Sequence, residues 1–178
     1  RVSVWANSAR VSRREGINMI IVGVDYSTKA IDLAFKGDDF WNNRRLIIGK
    51  DGIDKKFLET LRGELGAFTH AVKAVYIEKP WMNVGFGNSN PKTTMQMVAV
   101  ATIVQMTGIM LGYRIEWAPV VSWRSKVFGK GKYTKAIAKG LAISWAQANT
   151  GLTIPNDNVA DACCIAQYGA MMESENAQ

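Results

Sequence analysis

Two apolar runs that each end in a carboxylate constrain this chain more than any other feature. Ile20-Ile21-Val22-Gly23-Val24 leads into Asp25, and Ala74-Val75-Tyr76-Ile77 leads into Glu78. Runs this apolar, without polar alternation, suit strands covered on both faces. A carboxylate taken out of water at the end of such a strand is costly unless a positive group pairs with it. Two strands built this way point to a shared cation at one edge of a sheet. Asp157 and Asp161 open a helix-like stretch near the C-terminus and form a third acidic station. Oxygen donors with no His/Cys cluster favour a hard divalent ion, magnesium or manganese.

The patterning supplies the elements between these stations. Strands are expected over Met19–Tyr26, Lys29–Lys36 and Phe40–Ile48, joined by short turns at Gly37-Asp38-Asp39 and Gly49-Lys50-Asp51-Gly52. Short turns make sequential strands antiparallel. Ile53–Val72 carries apolar residues at helical spacing, and a fourth strand returns over Lys73–Glu78. Lys79–Pro91 reads as an exposed loop, Lys92–Leu111 as a long apolar helix and Tyr113–Ala118 as a fifth strand. One or two helical turns over Pro119–Val127 follow, then helices over Thr134–Ala148 and Asp157–Met172. A three-strand meander followed by alternating helix and strand predicts an α/β fold: a mixed five-stranded sheet flanked by helices, in the ribonuclease H-like order.

At 178 residues the chain has room for one domain with a proper core. That domain is expected over 19–173, with a short tail at 174–178. Residues 1–18, with Arg1, Arg10, Arg13 and Arg14 against the single acid Glu15, lack the apolar core of a secretory signal. They read as a leader, a tag or a disordered basic arm, with Met19 as a plausible native start. Met95–Leu111 is interrupted by Gln96, Thr102, Gln105 and Thr107, so it is expected to be a core helix and not a membrane span. The adjacent Cys163 and Cys164 cannot build a disulfide framework, which suits a reducing compartment. A single histidine, His70, leaves no material for a zinc site or a Ser-His-Asp triad.

Charge is distributed unevenly. Between Lys79 and Asn156 nine bases face one acid, Glu116, while the rest of the chain is close to neutral. A basic middle segment suggests a polyanion, most simply nucleic acid. The plain alternative is a solvated basic face without a partner.

Strand ends can deliver Asp25 and Glu78 to one sheet edge. Asp157 and Asp161 are four residues apart and Asn158 and Asp161 three apart, so each pair can share a helix face. Carboxylates around two hard cations ~4 Å apart suit in-line phosphodiester hydrolysis. Asp157 or Asn158 could instead simply cap the helix.

With these residues placed, the chain resembles the RuvC-type Holliday junction resolvases, including their phage-like branch. The resemblance runs from Met19 to about Met172. It is carried by Val22-Gly23-Val24-Asp25-Tyr26-Ser27, Ile77-Glu78-Lys79-Pro80, a basic Gly-Lys-Gly segment and Ala160-Asp161-Ala162. It implies a catalytic set of Asp25, Glu78, Asp161 and a fourth residue around two Mg2+ or Mn2+ ions. The family usually places an acid or His three residues before the last Asp, where this chain has Asn158. The fourth ligand is then Asp157 or Asn158, with Asp157 preferred. The resemblance also implies that Trp81 or Phe86 stacks on an unstacked base and that Lys132 contacts the transition state. Arg124, Lys126, Lys130, Lys132, Lys135 and Lys139 would hold DNA. The expected activity is resolution of four-way DNA junctions by paired nicks from a homodimer, in recombination or repair, with branched DNA as partner.

Three other readings use parts of the same pattern. A less selective nuclease, cutting flaps, forks or RNA–DNA hybrids, would use the same acids. A junction-binding protein that does not cut would follow from lost ligation at Asn158. An actin-like ATPase needs a Gly-rich phosphate turn after Asp25 and a second lobe, and Tyr26-Ser27-Thr28-Lys29 supplies no glycine. The expected location is the cytoplasm of a bacterial or phage-infected cell, or an organelle if the Arg-rich leader is a genuine targeting sequence.

Overall fold

The computed structural model describes residues 19–50, 52–68, 70–80 and 90–178. Among them, five strands form one mixed sheet in the order β3-β2-β1-β4-β5. These are β1 (Ile20–Tyr26), β2 (Ala30–Lys36), β3 (Trp41–Ile47), β4 (Val72–Glu78) and β5 (Arg114–Ala118). The first three form the expected antiparallel meander, while β4 joins β1, and β5 joins β4, in parallel. The first turn is closed by Ser27, whose hydroxyl accepts from the Lys29 and Ala30 amides at 3.2 and 3.0 Å. That turn fixes the register and sets Asp25 directly opposite Asp32.

Side chains alternate across each strand and divide the interior into two layers. Val22, Val24, Ile31, Leu33, Phe35, Val75 and Ile77 face α1 (Lys55–Gly66) and α2 (Pro91–Met110). The other face holds Ile21, Ala34, Ala74 and Tyr76 against α3 (Val120–Phe128), α4 (Lys135–Thr150) and α5 (Asp157–Glu175). On this second face the sheet is lined by small residues, and α5 answers with its own. A Cβ on Gly23 would lie 2.2 Å from the Ala162 carbonyl oxygen, and one on Gly169 would lie 2.5 Å from the Tyr76 ring. The helix can therefore lie directly on β1 only because both positions are glycine.

Several expectations about elements are revised. The first helix stops at Gly66, not Val72, because Phe68 turns inward to stack 5.1 Å from the Phe35 ring. Its carbonyl then accepts from the Ala71 and Val72 amides as the chain enters β4. The last helix runs on to Glu175. Glu173 in its final turn is buried, accepts a hydrogen bond from Tyr76 Oη at 2.7 Å and pairs with Lys73 and Arg114.

The largest revision concerns α2. It is not a core helix: Val100, Ala101, Val104 and Gly108 are buried, whereas Met95, Met106, Ile109 and Met110 are exposed. By length and composition alone it would also qualify as a membrane span. Its inner stripe nonetheless packs on the sheet and α1 layer.

Candidate active site

The acids at the ends of β1 and β4 come together because these strands are parallel neighbours. Val24 pairs with Ile77, so Asp25 and Glu78 follow at the same, C-terminal, edge. Asp161 arrives from the other layer, on the first turns of α5, where that helix crosses β1 at Gly23. Asp25 and Asp161 are both buried, and Glu78 is half-buried.

The three carboxylates feel one another. Burial holds Asp25 well above the usual carboxylate range, and Glu78, Asp161 and Asp32 add to the rise. Burial, then Glu78, pushes Asp161 up to about 7. Glu78 is also raised by burial, against a hydrogen bond from Trp123 and the Arg124 charge. Mutual elevation of this kind marks like charges packed with too little counter-charge.

α3 covers the cluster. Trp123 is fully buried and its Nε1 donates to Glu78 Oε2 at 3.3 Å. The Arg124 guanidinium lies 5.0 Å from the Trp123 ring centroid and 3.8 Å from Asp161 Oδ2. Among the described residues three buried atoms here have no hydrogen-bond partner: Asp161 Oδ1, Arg124 Nε and Tyr26 Oη. A desolvated carboxylate oxygen with nothing to accept from is an open coordination position.

The start of α5 separates the residues considered for the fourth ligand. The cap is Asn156, which accepts from the Val159 amide at 3.1 Å, so neither Asp157 nor Asn158 serves that role. Asp157 is paired with Lys139, whose hydrogen bond draws its carboxyl below the ordinary range. Asn158 acts on Asp32 instead, where it helps draw the carboxyl down against burial. Asp32 is completely buried on β2, with its oxygens 2.9 and 3.0 Å from Arg45 Nη1. Burial pushes its carboxyl up to about 6 against the Arg45 charge.

The basic residues divide into near and far groups. Arg124 and Lys139 border the acids. A cleft of about 310 Å3 opens beside Arg124, between α3 and the following loop, lined by Ser125, Lys130, Gly131 and Tyr133 among others. Tyr133 holds the loop closed by donating to the Gly129 carbonyl at 3.1 Å. Lys130, Lys132 and Lys135 are exposed. Lys126 points elsewhere: it pairs with Glu175, fourteen residues beyond Asp161 on α5, which is about 21 Å along the helix axis. Trp81 and Phe86 lie outside the described residues, as does the leader.

No family model matches the chain, and no curated protein matches it by sequence. Solved structures do. Thermus thermophilus RuvC aligns over 89% of this chain and 97% of its own, at a TM-score of 0.63 and 14% identity. The same enzyme in complex with a Holliday junction substrate aligns over 89% and 96%, at 0.64 and 15%. The yeast mitochondrial Holliday junction resolvase Ydc2 aligns over 90% and 82%, at 0.51 and 11%.

The chain has the fold of the RuvC resolvases. Bacterial and mitochondrial members are matched alike, so the likeness bears on the RNase H-like architecture and does not single out a phage-like branch. Within that architecture, the residues that sequence reading did not single out are Asp32, Arg45 and Trp123. Asp32 had a legible signal: it is a lone acid inside an apolar strand, seven residues after Asp25 across a short turn. Arg45 and Trp123 had none, since one depends on strand register and the other on how α3 docks.

Proposed function

We propose that this protein is a metal-dependent endodeoxyribonuclease that resolves four-way DNA junctions by paired nicks as a homodimer. The observation that carries this reading is the convergence of Asp25, Glu78 and Asp161, from three distant stretches of chain, at one edge of a RuvC-like sheet.

The donor set fits a hard divalent ion. It consists of oxygens, it carries excess negative charge, and Asp161 Oδ1 is buried without a partner. Among the described residues, no three His, Cys, Asp or Glu side chains stand close enough to hold an ion as they are. Ligation would therefore draw the carboxylates inward. Asp25, Glu78 and Asp161 would be the protein ligands, with a fourth oxygen from the start of α5. The bound ions, Mg2+ or Mn2+, would activate a water and stabilise charge on the scissile phosphate.

The protein's own groups do the rest. Trp123 holds Glu78 by a hydrogen bond and keeps water from its inner side. Arg124, now the nearest counter-charge to Asp161, is placed to meet a phosphate once cations neutralise the acids. Lys130, Lys132, Lys135 and Lys139 extend the positive surface along which a DNA backbone would run, with Lys132 the candidate contact to the reacting phosphate. The exposed apolar stripe of α2 supports a homodimer, since a symmetric pair would bury it and set two active sites to cut two strands.

The test offers a labelled four-way junction and its linear duplex to wild type and Asp25→Asn, with and without Mg2+. Metal-dependent cleavage of the junction alone, reduced at least about 100-fold in the mutant, supports the proposal. Equal cleavage of duplex would indicate a less selective nuclease. Tight junction binding with no metal-dependent product would indicate a binding protein.

A further inference from the structure

The cleft beside Arg124 has no part in holding a metal, yet its walls are built with unlike chemistries. Val120 and Val121 on α3 give it an apolar side, the Tyr133 ring an aromatic one, and Arg124, Ser125 and Lys130 supply polar groups. Among the described residues no acid lines it, so its field favours an anion. Its volume of about 310 Å3 is at the small end of ligand sites, which span roughly 300–1,000 Å3. That admits one small unit, and not a duplex.

The walls are tied to the active site. The Trp123 ring meets Phe128 edge to face at 5.8 Å, and Phe128 meets Tyr133 in the same manner at 6.4 Å. Tyr133 Oη donates to the Phe128 and Gly129 carbonyls at 3.3 and 3.1 Å. The hydroxyl is therefore spent on the loop, and the ring is what the cleft meets. A Cβ on Gly131 would lie 2.7 Å from that ring, so the loop rests on Tyr133 as closely as a glycine permits. Trp123 also holds Glu78, so one aromatic series runs from an acid to the wall of the cleft.

Arg124 joins the two places. It lines the cleft, while its Nη2 stands 3.8 Å from Asp161 Oδ2, beyond hydrogen-bond reach. Its buried Nε has no partner. An occupant of the cleft is thus one arginine side chain away from Asp161. On a DNA strand cut at these acids, that place belongs to a nucleotide beside the scissile phosphate. A nucleotide matches the walls: its base has a flat apolar face for Val121 and Tyr133, and its phosphate accepts from arginine and lysine. A base must leave the stack to enter, which costs least where pairing is already broken, as at a branch point.

We propose that this cleft takes one unpaired nucleotide of branched DNA, with the base against Val121 and Tyr133 and the phosphate on Arg124 and Lys130. The inference rests on the nuclease reading of the acids and adds to it a subsite for a base beside the cut.

The test places 2-aminopurine, one position at a time, at the nucleotides flanking the crossover of a four-way junction, bound in Ca2+ so that nothing is cut. Wild type is compared with Val121→Trp, which fills the cleft, and with Ser122→Trp, which puts the same ring on an exposed position of α3 that does not line it. Val121 is 72% exposed, so its replacement leaves the core alone. Lys130→Trp, on the facing loop, fills the cleft independently of α3 and repeats the comparison. At one position the probe should brighten with wild type and Ser122→Trp and stay dim with either filled cleft. Junction affinity should fall about 10-fold in Val121→Trp, while Mn2+ affinity without DNA, read by calorimetry, stays at the wild-type value. An abasic nucleotide at the responding position should cost wild type the same loss and cost Val121→Trp nothing more. Brightening that is equal in wild type and both filled variants, or absent throughout, overturns the inference. So does an abasic penalty of equal size in wild type and Val121→Trp. If wild type still cuts the junction with Mn2+ while these signals are missing, the nuclease reading stands and the subsite falls. If wild type brightens the probe through the cleft but cuts nothing with Mn2+, the subsite stands and the nuclease reading falls.

Discussion

A Cβ added to Gly23 would lie 2.3 Å from the backbone nitrogen of Ala166. No side-chain rotation relieves that contact, because the atom it meets belongs to a helix backbone. β1 carries Asp25 two residues later, and on α5 Asp161 immediately precedes Ala162, whose carbonyl oxygen would lie 2.2 Å from the same added Cβ. The glycine therefore sets the distance between two acids that come from different layers.

Gly23→Ala should push α5 off the sheet. Overpacking of this kind costs on the order of 1–3 kcal/mol, and a displacement of about 1 Å at a reacting centre can cost 100-fold in rate. The expected result is a lower melting temperature together with a fall in junction cleavage steeper than the fall in folded fraction. Full activity in a folded Gly23→Ala would show that α5 does not fix the acid spacing.

The strand-end acids and the meander could be read from sequence because they rest on local rules. An apolar run ending in Asp25 or Glu78 is visible residue by residue, and short turns dictate antiparallel pairing. What could not be read depends on the third dimension. The composition of α2 is the same whether its outer stripe faces a core or solvent, so Met106 and Met110 look like core residues until the layers are assembled. The choice between Asp157 and Asn158 turns on what each meets. Asp157 meets Lys139, which comes from α4, and that pairing has no signature in the spacing of the helix itself.

Stability should fall as pH rises in the metal-free protein. The carboxyls of Asp25 and Asp161 ionise at higher pH in the folded chain than in the unfolded one, Asp161 near about 7. Between the ordinary carboxylate range and that value, the folded state holds more protons, so unfolding becomes easier with each step up in pH. The opposite shift at Asp157 acts only below its ordinary range, outside this window. Asp161→Asn should therefore gain about 1–2 kcal/mol at pH 8, roughly 2–8 °C in melting temperature, and little at pH 5. Mn2+ should raise the wild-type melting temperature more at pH 8 than at pH 5. A metal-free melting temperature that climbs steadily from pH 5 to 8 would contradict the raised carboxyls.

The outer stripe of α2 makes a separate prediction about assembly. Met95, Ala99, Thr102, Met106 and Ile109 recur at spacings of three and four on the exposed side. Burying a methionine side chain contributes about 1.5–3 kcal/mol, so Met106→Glu with Met110→Glu should weaken self-association at least about 100-fold. Sedimentation equilibrium would read this directly. Junction products should shift from paired cuts to single nicks, while Mn2+ affinity stays unchanged. A wild-type chain that sediments as a monomer at all concentrations would remove the dimer from the proposal.

Lys126 and Lys130 lie four residues apart in sequence and should behave differently toward DNA. Lys130 lines the cleft beside Arg124 and is free on its exposed side, whereas Lys126 is turned to Glu175 at the far end of α5. A lysine on a phosphate releases a counterion, so its removal lowers the slope of log K against log salt by about 1. Lys130→Ala should show that change in fluorescence anisotropy with a labelled junction, measured in Ca2+ or EDTA so that nothing is cut. Lys126→Ala should leave both affinity and slope at wild-type values. Equal losses in the two variants would mean that DNA runs along the length of α5 and not only across the acidic edge of the sheet.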